Sequence, residues 1–95
     1  GYTDLVVTTG GTASRPPVPV PDGTPVHTVR TLEDAVALRA LLDSGRVRTA
    51  AVVGAGYIGL ETAEALHARG VRVTVVERLD GVLTTLDEPV AARVE

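Results

Sequence analysis

Three glycines spaced as Gly54-Ala55-Gly56-Tyr57-Ile58-Gly59, and one carboxylate, Glu77, 23 positions after the first of them, are the residues best able to act on a ligand. The chemistry they point to is the binding of a diphosphate and the sugar beside it. Gly54 lets the chain turn sharply out of a strand. Gly56 carries no side chain, so a diphosphate can approach the backbone, and Gly59 lets a helix pack closely on the strands. The helix that follows offers unpaired N–H groups and the positive end of its dipole to the anion. Glu77 is placed to accept hydrogen bonds from the two ribose hydroxyls of an adenosine and to repel a 2′-phosphate. That favours NAD(H). Arg78, a guanidinium able to pair with a 2′-phosphate, keeps NADP(H) open.

The pattern carries weight because of the elements that must position it. The apolar run from Ala50 to Val53 predicts a strand, and the sequence from about Tyr57 to Arg69 predicts a helix closed by Gly70. Val71 to Val76 predicts a second, mostly buried strand. Strand, glycine turn, helix, strand and acid follow one another as a dinucleotide-binding unit requires. A glycine-rich turn in an unrelated α/β protein is the plainer alternative. Tyr57 lies at the edge where a bound cofactor would cross, and packing there is its plainer role. Glu61, four residues on, falls on the same helix face; a carboxylate so early in a helix can also simply answer the dipole.

Upstream, Asp4 to Thr9 predicts a short buried strand ended by Gly10-Gly11. Arg15 to Pro25 contains Pro16, Pro17, Pro19, Pro21 and Pro25, each with φ restricted and no N–H to donate. This predicts an extended crossover between domains, or a stiff loop within one. Val26 to Val29 predicts another short strand. Thr31 and Asp34 have capping-box spacing, followed by an apolar stripe of Ala35, Leu38, Leu41 and Leu42 and a stop at Gly45. Leu79 to Thr85 predicts a loop, and Asp87-Glu88-Pro89 a helix start.

Bulk properties narrow the function classes. The 95 residues carry a formal charge of −3 with both signs interspersed, so no basic footprint for nucleic acid is present. Cysteine is absent, which excludes a disulfide framework or a redox dithiol within this chain. His27 and His67 stand alone, without a metal-binding cluster. No apolar run reaches membrane-spanning length, and a soluble cytoplasmic protein is the default expectation. The chain begins with Gly1 and meets a strand signal almost at once. It closes on a helix signal from Glu88 to Glu95 that looks cut short, so a piece of a longer protein is expected.

The chain resembles the FAD-dependent pyridine nucleotide-disulfide oxidoreductases, in the branches of coenzyme A-disulfide reductase, NADH oxidase and the ferredoxin reductases of oxygenase systems. Tyr2 to Gly10 is similar to the family's Tyr-Asp-x-Leu-Val-x-Ala-Thr-Gly motif, with Thr8 in place of the usual Ala, and Gly11 to Ala13 resembles a slight insertion after it. Thr28 to Ala35 is similar to the segment that opens the helix before the NAD domain, and Ala50 to Glu77 to the NAD-binding unit itself. Val82-Leu83 and Leu86 to Ala91 resemble Val-Leu and Leu-Asp-Pro-Glu-Met-Ala, with Glu88 and Pro89 in reversed order.

The resemblance implies an α/β fold with a Rossmann-like parallel sheet. Residues 1–14 would close an FAD-binding domain, 15–30 form the Pro-rich crossover, and 31–95 make the first half of an NAD(P)-binding domain. It further implies that Thr9 and Gly10 lie near the flavin nucleotide, that Tyr57 covers the nicotinamide pocket, and that Glu61 lies near the nicotinamide. The implied activity is hydride transfer from NAD(H) to FAD in a parent flavoprotein, usually a homodimer. Electrons would then pass to a disulfide, oxygen, peroxide or ferredoxin. A flavin-free dehydrogenase cofactor domain and a non-catalytic nucleotide-binding scaffold are the alternatives.

Overall fold

The computed structural model describes residues 1–83, in the element order α1 (Leu32–Asp43), β1 (Thr49–Val53), α2 (Tyr57–Ala68) and β2 (Arg72–Val76). The expected motif at Leu86 to Ala91 and the helix signal at Asp87 lie outside the described residues. The chain divides into two compact units, Gly1–Ala40 and Leu41–Glu95.

The second unit is a parallel β1–α2–β2 unit, a partial Rossmann-like α/β fold. β1 and β2 pair in register from Thr49 opposite Arg72 to Val53 opposite Val76. The ladder extends at both ends, with Arg72 N–H donating to Arg48 C=O at 3.0 Å and Gly54 N–H to Val76 C=O at 2.8 Å. Parallel strands need a crossover, and α2 supplies it, packing on both strands. Gly59, Ala63 and Leu66 recur at helical spacing on one face of α2, and Leu66 is buried. The helix ends where Gly70 takes φ +79. Gly70 N–H donates to His67 C=O and Val71 N–H to Leu66 C=O, a Schellman closure in which Leu66 and Val71, at its two apolar positions, are both buried.

Ala55, Leu66, Val71 and Leu83 form the core of the described residues. β2 was expected to be mostly buried, yet only Val73 along it is half-buried and the other four residues are exposed. The reason is local: among the described residues β2 pairs with a single strand and is covered by a single helix.

In the first unit the expected strands at Asp4 to Thr9 and Val26 to Val29 do not form. Leu5, Val6 and Val7 are exposed. A strand needs a neighbour's N–H and C=O groups, and no described residue supplies a ladder to either segment. The proline segment contains neither helix nor strand, as its missing donors require. Asp34 Oδ2 accepts from Arg30 N–H at 3.0 Å and Thr31 N–H at 3.1 Å, and Thr31 Oγ1 accepts from Asp34 N–H at 3.2 Å. The capping box is therefore formed, with Asp in the usual place of Glu. Those backbone bonds, from Thr31 first and Arg30 next, hold the Asp34 carboxyl below its ordinary pKa. Along α1 Leu38, Leu41 and Leu42 are half-buried, while Ala35 is exposed.

Candidate functional site

The pairing of Val53 with Val76 brings the ends of β1 and β2 side by side, so the residues that follow each strand meet. Gly54 leaves β1 at φ +104, a conformation an L side chain rarely adopts. Gly56 is the N-cap of α2, at φ −78 and ψ −177; its C=O accepts from Leu60 N–H at 3.0 Å, and no side chain caps the helix start.

The two remaining glycines differ in what surrounds them. A Cβ on Gly59 would fall far inside contact with the Gly54 carbonyl oxygen, 3.0 Å from its carbon and 3.6 Å from Val52 Cγ1. A Cβ on Gly56 would meet nothing within 4 Å. Gly59 therefore sets the close packing of α2 on the turn, while Gly56 leaves open space.

Ala55, between Gly54 and Gly56, is 1% exposed, with both backbone groups engaged. Its N–H donates to Glu77 Oε2 at 2.7 Å, and its C=O accepts from Leu83 N–H at 3.0 Å. Glu77 Oε1 also accepts from Arg78 N–H at 2.6 Å and Leu79 N–H at 3.0 Å. These three bonds, that from Ala55 foremost, hold the Glu77 carboxyl below its ordinary pKa, and the Arg78 charge adds a smaller effect in the same direction. A carboxylate has about four lone-pair positions. Three are occupied, which leaves about one, on Oε2, where the sequence led us to expect room for two ribose hydroxyls.

Tyr57 and Ile58 are 56% and 66% exposed at the opening of α2, and Glu61 is exposed one turn on. Arg78 is exposed beside Glu77. Gly54, Ala55, Gly56, Tyr57, Ile58, Gly59, Glu61, Glu77 and Arg78 all belong to the second unit. Thr9 and Gly10 belong to the first, where both are exposed and Gly10 has φ +74.

Leu83 escaped the sequence reading of the site. It acts through a backbone N–H, at φ +50, and leucine gives no signal of a left-handed conformation. The contact between Glu77 and Ala55 was open to inference, because in-register parallel strands place their following residues together.

The arrangement is suited to binding. An uncapped helix start beside an open backbone fits a diphosphate, and a fixed carboxylate fits a sugar hydroxyl. Among the described residues no group of side chains could hold a metal ion. No helix among them is long and apolar enough to cross a membrane.

A parallel β–α–β unit with this glycine turn defines a Rossmann-like class of fold. Over residues 1–95 the chain matches the pyridine nucleotide-disulphide oxidoreductase family, and it belongs to that family. It is 40% identical over 93 residues to the NADH oxidase of Methanocaldococcus jannaschii, covering 98% of this chain and 21% of that protein. Against the coenzyme A disulfide reductase of Staphylococcus haemolyticus it is 41% identical over 63 residues, 66% of this chain and 14% of that one. Against the ferredoxin–NAD(+) reductase component of the p-cumate 2,3-dioxygenase system of Pseudomonas putida it is 47% identical over 68 residues, covering 70% and 16%. The crystal structure of reduced Bacillus anthracis CoADR-RHD superposes with a TM-score of 0.66 at 38% identity, over 72% of this chain and 12% of that one. The matched region spans about a seventh to a fifth of the length of these curated relatives.

Proposed function

We propose that this chain carries the NAD(H)-binding turn of a flavin-dependent oxidoreductase. The observation that carries the reading is the open backbone at Gly56, which sits at an uncapped helix start beside the Glu77 carboxylate. The backbone from Gly54 to Gly59 would hold the diphosphate, with Gly56 giving it access. Glu77 Oε2 would accept a ribose hydroxyl with its remaining lone pair, and its charge would oppose a 2′-phosphate. Tyr57 and Glu61, exposed on α2, would face the nicotinamide half. The residues at Thr9 and Gly10 would contribute to holding FAD in a parent protein. When bound, the nicotinamide and flavin supply the hydride chemistry, and the protein orients them.

Family membership supports the flavin partner, and the names of the NADH oxidase and ferredoxin–NAD(+) reductase relatives support the nicotinamide. The electron acceptor, drawn from disulfide, oxygen, peroxide or ferredoxin, follows from parts of the parent outside this chain.

The test is an anaerobic titration of the full-length, FAD-loaded protein with NADH and with NADPH, following flavin absorbance. NADH should bleach the flavin at concentrations at least about tenfold lower than NADPH, a difference of about 1.4 kcal/mol in binding. Equal potency would remove the role given to Glu77 as a discriminator. Failure of both to bleach the flavin or to bind would remove the reading itself.

A further inference from the structure

Segment 77–83 does more than follow β2. It grips two consecutive peptide planes of the glycine turn. Glu77 Oε2 holds the N–H of Ala55, which lies in the Gly54–Ala55 plane. Leu83 N–H holds the C=O of Ala55, which lies in the Ala55–Gly56 plane. In a trans peptide the C=O of one residue and the N–H of the next lie in one plane and point in opposite directions within it. Fixing Ala55 C=O toward Leu83 therefore aims Gly56 N–H the opposite way. Leu83 keeps this bond while its own backbone stands at φ +50 and its side chain is buried, so the grip is held against a local conformational cost. Glu77 is anchored in turn by the N–H groups of Arg78 and Leu79.

We propose that Glu77 and the Leu83 N–H are positioning groups for the diphosphate, orienting the Gly54–Gly56 backbone, so that Glu77 contributes to binding even of a nucleotide lacking ribose hydroxyls. This rests on the dinucleotide reading of the site and adds a second duty to its carboxylate. Glu77→Gln keeps the size of the side chain but removes the charge and one acceptor oxygen, and so weakens the bonds that orient the turn.

The test is a ligand-by-variant cycle on the full-length, FAD-loaded protein. Dissociation constants for ADP and 2′,3′-dideoxy-ADP are measured by calorimetry on wild type and on Glu77→Gln, with thermal unfolding of each recorded. The variant should weaken dideoxy-ADP about fivefold, with a further loss for ADP. A loss confined to ADP, with dideoxy-ADP within twofold of wild type, overturns the positioning role and leaves the dinucleotide reading standing. Wild type binding neither ligand defeats the dinucleotide reading and the proposal with it. A second arm needs no variant. By linkage, a nucleotide that uses the oriented turn must strengthen the grip on it, so dideoxy-ADP should slow hydrogen exchange at the Ala55 amide of wild type. Unchanged exchange at saturation overturns the proposal even if Glu77→Gln does not fold.

Discussion

Gly56 and Gly59 lie three residues apart and are subject to opposite constraints. Space around Gly56 is open and its backbone is extended, so Gly56→Ala should change stability by no more than about 0.5 kcal/mol. The new methyl occupies the approach of the diphosphate, and NADH affinity should fall by about tenfold or more, read by titration. Gly59→Ala drives a methyl into the Gly54 carbonyl, with backbone on both sides and nothing flexible to move aside. It should destabilise the fold by about 1–3 kcal/mol, read by denaturant unfolding, with binding lost as a consequence. If Gly56→Ala lowered stability and Gly59→Ala did not, the division of roles would be wrong. The spacing alone made both glycines visible as a set. The pattern also gave Gly56 to the ligand and Gly59 to the helix; what the atoms around them add is the backbone clash a side chain at Gly59 would meet and the open space at Gly56.

At the scale of the elements, short-range signals were legible and long-range ones were not. The Thr31–Asp34 box opens α1 where its spacing placed it, because all its bonds lie within five residues. Thr31→Ala removes the hydroxyl that caps Asp34 N–H and should cost about 1 kcal/mol, seen as a lower unfolding midpoint. The boundaries of β1, α2 and β2 fall within a residue or two of the expected ones, since β1 and β2 are joined by one crossover and complete each other. Asp4 to Thr9 has an apolar centre, Leu5-Val6-Val7, but no described partner strand, and stays irregular. Pattern reports what a segment can become; the ladder that would make it a strand belongs to another segment. The same limit hid Leu83, whose part in the site depends on a backbone bond 28 residues distant in sequence, to Ala55.

At the scale of the molecule, the carboxylates of Asp34 in the first unit and Glu77 in the second both have depressed pKa values and both hold backbone. A group whose pKa is lower folded than unfolded stabilises fully above its unfolded value and loses that contribution as pH falls through the folded one. The ordinary values are 3.8 for Asp34 and 4.5 for Glu77. Their contribution to the unfolding midpoint should therefore be flat above these values and decline as the pH drops below them. The double variant Asp34→Asn, Glu77→Gln should start lower at neutral pH and show a shallower acid decline. An equally steep decline would place the acid sensitivity on other groups.

The close approach of Gly59 to the Gly54 carbonyl has a spectroscopic consequence. Where a side chain would stand there is a Cα hydrogen, directed at a carbonyl oxygen. That geometry makes a weak Cα–H···O bond between the first turn of the helix and the residue that leaves the strand. One of the two Gly59 Hα resonances should accordingly lie well downfield of its geminal partner, a magnetic marker of whether helix and turn are docked that needs neither ligand nor flavin.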